Sequence, residues 1–105
     1  MKVIKGVLEE ELANSMAMQK TYERELARLP AGSLVKKRIK GHEYWYLQIR
    51  QEGRVRFIYK GKLSAKAVER YQQAKQYRAT YRRLLSETKR QIKFLRTALR
   101  GKGAV

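Results

Sequence analysis

Along residues 33–62, SLVKKRIKGHEYWYLQIRQEGRVRFIYKGK, apolar and cationic positions alternate, and alternation with period two is the pattern of half-buried β-strands. Glycine interrupts it twice, which predicts three strands over 34–40, 43–50 and 54–60, with Gly41-His42 closing the first turn. The second turn reads as a three-residue loop, Gln51-Glu52-Gly53, with Gly53 in the left-handed position. That length sets Arg50 opposite Arg54. Trp45, Leu47, Ile49, Val55, Phe57 and Tyr59 then share one face, and Tyr44, Tyr46, Gln48, Arg50, Arg54, Arg56 and Lys60 share the other. A two-residue Glu52-Gly53 turn would slip the register by one and mix the two sets. The first strand places Val35, Lys37 and Ile39 on one side and Leu34, Lys36, Arg38 and Lys40 on the other, its basic side matching the tyrosine side of its neighbour.

On either side of this stretch the period changes. Leu8, Leu12, Ser15, Gln19, Tyr22, Leu26 and Leu29 recur at steps of four and three with Met16 and Met18 flanking them, which predicts a helix over 7–29. Glu9, Glu10 and Glu11 are assigned to its first turn, where carboxylates favour the positive end of the helix dipole. Pro30 and Gly32 end it. Ser64 is the expected N-cap of a second helix over 64–100. There Tyr71, Ala74, Arg78, Tyr81, Leu85, Thr88, Ile92, Leu95 and Leu99 form the stripe, widened by Val68, Tyr77, Leu84, Phe94 and Ala98, with Arg78 and Thr88 as polar exceptions. Gly101 is the expected stop and 101–105 a frayed tail. The expected architecture is a single α+β domain over 1–105. It consists of an N-terminal helix, a three-stranded antiparallel sheet, and a long C-terminal helix packed antiparallel to the first, in coiled-coil spacing. Surplus length on the long helix leaves room for a homodimer through it.

Charge turns the pattern into a functional expectation. The 105 residues hold 26 Lys and Arg against 9 Asp and Glu, a formal net charge of +17. Such a surplus exceeds what solubility asks for and points to a polyanionic partner. Five of the nine acids, Glu9, Glu10, Glu11, Glu23 and Glu25, lie in the first helix, which directs the partner elsewhere. The candidate contact residues are Lys36, Arg38, Lys40, Tyr44, Tyr46, Arg50, Arg54, Arg56 and Lys60 on the sheet. Lys75, Arg82, Lys89 and Arg96, spaced by seven on the long helix, join them. Cations there would neutralise phosphates, and the tyrosines would stack on unpaired bases or bond phosphates. A two- or three-stranded ribbon also fits the major groove of DNA. Duplex DNA is therefore the first expectation, ahead of single strands and RNA.

Catalysis is not expected. With no cysteine and His42 as the only histidine, neither a nucleophile–base pair nor a metal cluster has its parts, and no cofactor is implied. Gly61-Lys62 lacks the earlier glycine of a phosphate loop, because position 56 is Arg56, and the residue after it is Leu63. Trp45, Leu47, Ile49 and Phe57 read as core. The coiled-coil spacing suits a helical partner better than lipid, so no membrane role is expected. The absence of cysteine and of a long apolar N-terminal stretch fits a cytoplasmic protein.

The pattern Gly41-x-x-Tyr44-x-Tyr46-x-x-x-Arg50-x-x-Gly53-x-Val55-x-x-x-Tyr59-x-Gly61-Lys62, preceded by Leu29-Pro30-x-Gly32-Ser33-Leu34 and followed by a long basic helix, resembles a family of short uncharacterised prokaryotic proteins catalogued as a domain of unknown function. Its members look like components of phages, plasmids and other mobile elements. The resemblance implies mobile-element business and brings no catalytic residues. The Tyr44-x-Tyr46 and Tyr59-x-Gly61-Lys62 pieces are also similar to the arm-type DNA-binding domains of phage integrases. An interaction protein or inhibitor that docks on a host protein or nucleoprotein complex is the alternative expectation, and a structural part of a coiled-coil assembly a third.

Overall fold

A computed structural model describes residues 2–103. The order is α1 (Lys2–Arg28), β1 (Ser33–Ile39), β2 (His42–Gln51), β3 (Arg54–Gly61) and α2 (Ala65–Gly103), with an antiparallel sheet in the order β1-β2-β3. The architecture is the α+β arrangement that the periodicities predict. The chain divides into two compact units. One holds residues 29–79, with the sheet and the first part of α2, and the other pairs α1 with α2 from Thr80 onward.

Within the first unit, both hairpins turn tighter than the glycine positions suggest. Ile39 pairs with His42 and Gln51 with Arg54, so the loops are the two-residue pairs Lys40-Gly41 and Glu52-Gly53. All four loop residues have positive φ: 51° and 79° in the first loop, 52° and 76° in the second. This is the conformation of a type I′ turn, whose twist matches that of the flanking strands. A polar residue followed by glycine suffices for it, because glycine carries the second positive φ without a Cβ penalty. Neither the Gly41-His42 turn nor the three-residue loop forms.

The register therefore slips by one, and the faces change composition. Arg50 faces Val55, Gln48 faces Phe57 and Tyr46 faces Tyr59, so Val55, Phe57 and Tyr59 stand with the tyrosines. Ile49 faces Arg56 and Gln51 faces Arg54, which puts Arg54 and Arg56 on the Trp45 side with Leu47 and Ile58. In the first hairpin Lys36 faces Trp45 and Arg38 faces Glu43, whereas Val35 and Lys37 face Tyr46 and Tyr44. The basic side of β1 thus matches the Trp45 side of β2, not its tyrosine side. A bulge leaves Lys60 unpaired between Tyr46↔Tyr59 and Trp45↔Gly61.

The expected core changes accordingly. Leu47 is buried at 7 % exposure, and Trp45 and Ile49 are half-buried, but Phe57 is 51 % exposed on the far face. Gly32 lies against Leu47 and Ile49, and the buried Arg78 of α2 donates hydrogen bonds to the carbonyls of Pro30 and Gly32. Ser64 caps α2 as expected, its Oγ accepting from the Ala67 amide at 3.1 Å. Ser64→Ala should lower stability by about 1 kcal/mol, read as a lower urea midpoint with an unchanged slope.

In the second unit the two helices run antiparallel. Leu12 shares a hollow with Leu99, Gln19 shares another with Ile92, and the Tyr22 and Tyr81 rings are 6.0 Å apart. Ser15, Ile92, Leu95 and Thr88 are buried, Thr88 directing its hydroxyl to the Leu84 carbonyl at 2.8 Å. Met16, Met18 and Phe94 are exposed instead of widening the seam, as is Tyr77 in the sheet unit. Because α1 begins at Lys2, the acids from Glu9 to Glu11 lie beyond its first turn. Gly101 does not stop α2, which continues through Gly103; the rest of the expected tail, 104–105, lies outside the described residues. No helix among the described residues is long and apolar enough to cross a membrane.

Candidate nucleic-acid interface

The slipped register produces a sheet face that sequence reading did not anticipate. On the tyrosine face stand Tyr44 and Tyr46 from β2, Phe57 and Tyr59 from β3, Lys37 from β1 and His42 at the turn. The rings adjoin one another: Tyr46 and Tyr59 centroids are 5.4 Å apart, Tyr44 and Tyr59 6.2 Å, and His42 and Tyr44 6.3 Å, all tilted. Lys37 Nζ lies 4.9 Å from both the Tyr46 and the Phe57 ring centroid, within cation–π range. Ile39, Val55, Phe57 and Tyr59 are each exposed by more than two fifths. Exposed aromatic and apolar side chains gathered on one sheet face make it a candidate interaction surface.

Of the expected sheet residues, only Tyr44, Tyr46 and Arg50 belong to this face. Arg50 lines a hollow together with Val55, Gln48 and Lys75, which sets one expected sheet cation and the first of the four expected α2 cations on the same hollow. Lys36, Arg38, Arg54 and Arg56 stand on the Trp45 face, Lys40 in the first turn, and Lys60 at the bulge. Two of them are engaged locally. Lys36 pairs with Glu43 at 3.0 Å and lies 5.4 Å from the Trp45 ring centroid, while Arg56 donates to Gln51 at 2.8 Å.

In the helical unit, Lys89 and Arg96 line one groove with Gln19, Ile92, Lys93 and Arg100, whereas Arg82 is exposed elsewhere on α2. Among the described residues the ion pairs are three, Arg28–Glu25, Lys36–Glu43 and Arg83–Glu87. All are solvent-exposed pairs of small energetic worth.

Lys37, Phe57 and Tyr59 stand on the tyrosine face, where the sequence pattern did not place them. The signal was present in Glu52-Gly53, a polar–glycine doublet between two alternating runs, which favours a two-residue turn over a longer loop.

A family model described as a domain of unknown function, DUF6788, matches residues 4–73. The chain belongs to this family. The matched stretch takes in α1 from Ile4, the whole sheet, and α2 as far as Gln73, so the family pattern contains the tyrosine face. No match emerges among curated proteins or among solved structures.

Proposed function

We propose that this protein binds nucleic acid without catalysing a reaction, through the tyrosine face of its sheet and the cations around it. The observation that carries the reading is an exposed aromatic face within a chain of net charge +17, with Lys37 over its Tyr46 and Phe57 rings and Arg50 and Lys75 lining a hollow beside it. Each phosphate neutralised by such cations releases condensed counterions, which makes the surplus a source of affinity for any nucleic acid. A mobile element is the setting that the sequence resemblance suggests, and the lack of cysteine fits the cytoplasm.

The test is fluorescence anisotropy with labelled DNA and RNA across a salt series. If about five to seven phosphates of duplex DNA are neutralised, log affinity should fall with log salt at a slope of about −4.5 to −6. Undetectable binding to every nucleic acid at about 0.15 M salt would overturn the proposal, because the electrostatic contribution would then be too small. The net charge of +17 would serve an acidic protein surface as well as phosphate, and with the exposed Ile39, Val55 and Phe57 it favours a second reading, docking on a protein or nucleoprotein complex. Retention of one protein in a pull-down, with indifference to naked nucleic acid, would establish it.

A further inference from the structure

We infer that the tyrosine face is a base-stacking platform for single-stranded DNA; the inference rests on the proposed nucleic-acid function and specifies its substrate. Duplex DNA buries its bases in the stack, so rings on a flat sheet reach only their edges. Unpaired bases offer whole π-faces, and exposed aromatic rings beside a cationic track are what single-strand binders use. Here the rings occupy two neighbouring strands, with Tyr59 between Tyr44 and Tyr46 at 6.2 and 5.4 Å and Phe57 next along β3. Phe57 and Tyr59 are 51 % and 59 % exposed, and a base stacking on Phe57 would displace the Lys37 ammonium that lies 4.9 Å from its ring centroid.

Charge placement agrees. The tyrosine face keeps few cations, Lys37 already lying over two of its rings, while Arg54 and Arg56 are turned to the opposite face. A surface built to grip a duplex needs cations spread under both phosphate backbones, whereas a single strand needs one track beside the rings. This face presents aromatic and apolar area and leaves Arg50, beside Lys75, toward the end of the sheet next to the second turn. Neighbouring bases would lie on the rings, and their phosphates would reach Arg50 and Lys75. Ile39 and Val55 add exposed apolar area that suits the thymine C5 methyl group, which uracil lacks, and this favours a thymine-bearing DNA strand over a uridine-bearing RNA strand.

The experiment compares anisotropy at about 0.15 M salt for a labelled oligothymidylate of about twelve nucleotides, a span within single-strand site sizes. The same-length abasic strand, oligouridylate RNA and a duplex complete the set. Oligothymidylate should bind at least about tenfold more tightly than the abasic strand, the scale of one base–aromatic stack. Phe57→Ala and Tyr59→Ala should each weaken oligothymidylate at least about fivefold and leave the abasic strand unchanged. Both side chains are more than half exposed, and circular dichroism would confirm that the variants fold. Equal binding of the abasic strand and oligothymidylate, or of the duplex and oligothymidylate, would overturn the platform while leaving charge-driven binding intact. Equal binding of oligouridylate would overturn the DNA assignment alone. No binding of any strand would overturn this inference together with the proposed function.

Discussion

Gly32→Ala should destabilise the sheet unit by about 3 kcal/mol, combining strain from a positive φ with crowding of a packed contact. Gly32 has φ +103°, a conformation that residues with a Cβ rarely adopt. A Cβ there would stand 2.8 Å from Ile49 Cγ2, 2.9 Å from Leu47 Cδ1 and 2.9 Å from the Gln48 carbonyl oxygen. The two methyl groups can swing aside, but the carbonyl belongs to the strand that pairs Gln48 with Ser33 and has no such freedom. Gly41→Ala separates the two contributions, since Gly41 has φ +79° and nothing within 4 Å of its added Cβ. It should cost about 1 kcal/mol, from backbone strain alone. Urea unfolding followed by circular dichroism measures both, and equal losses for the two variants would mean that Gly32 is not crowded.

Arg78→Met should be as damaging, at about 3 kcal/mol. Arg78 is a helix residue only 8 % exposed, and its guanidinium donates to the Pro30 carbonyl and, at 2.6 Å, to the Gly32 carbonyl. Hydrogen bonds from a charged donor contribute about 1.5–3 kcal/mol each, and methionine fills the volume while supplying none. Arg78→Lys should recover less than half of the loss, because an ammonium is a compact donor that cannot reproduce the planar fork across two carbonyls. Since one of those carbonyls is that of Gly32, the Gly32→Ala, Arg78→Met double variant should lose measurably less or more than the sum of the singles. A loss within about 0.5 kcal/mol of zero for Arg78→Met, the range of ordinary surface changes, would show that the guanidinium does not hold the segment between α1 and β1.

Both sites bear on the proposed binding face through the sheet. Gly32 and Arg78 fix the chain where it enters β1, and β1 carries Lys37, the cation that lies over Tyr46 and Phe57. Loosening that entry should disturb the tyrosine face even though neither residue belongs to it.

Periodicity alone determined the element types. Alternation over residues 33–62 predicts strands, steps of three and four elsewhere predict helices, and both hold, because each period reports which positions a regular backbone can turn to one side. Charge was equally legible, as was the Ser64 cap, which depends on neighbours within one helical turn. Which residues share a sheet face was not settled by alternation, because both strands alternate whichever turn joins them. A single residue of loop length exchanges every facing pair. The Glu52-Gly53 turn decided it, and moved Phe57 from the expected core, and Tyr59 from the Trp45 face, to the exposed tyrosine face. Gly101 shows the same limit at a helix end: its backbone does not take the left-handed φ of a cap, and the helix continues. Arg78 stood out in the sequence as a charge within an apolar stripe, but its reason lay 46 and 48 residues away. Only the tertiary structure brings the carbonyls of Pro30 and Gly32 to it, since contacts so distant along the chain leave no local pattern to read.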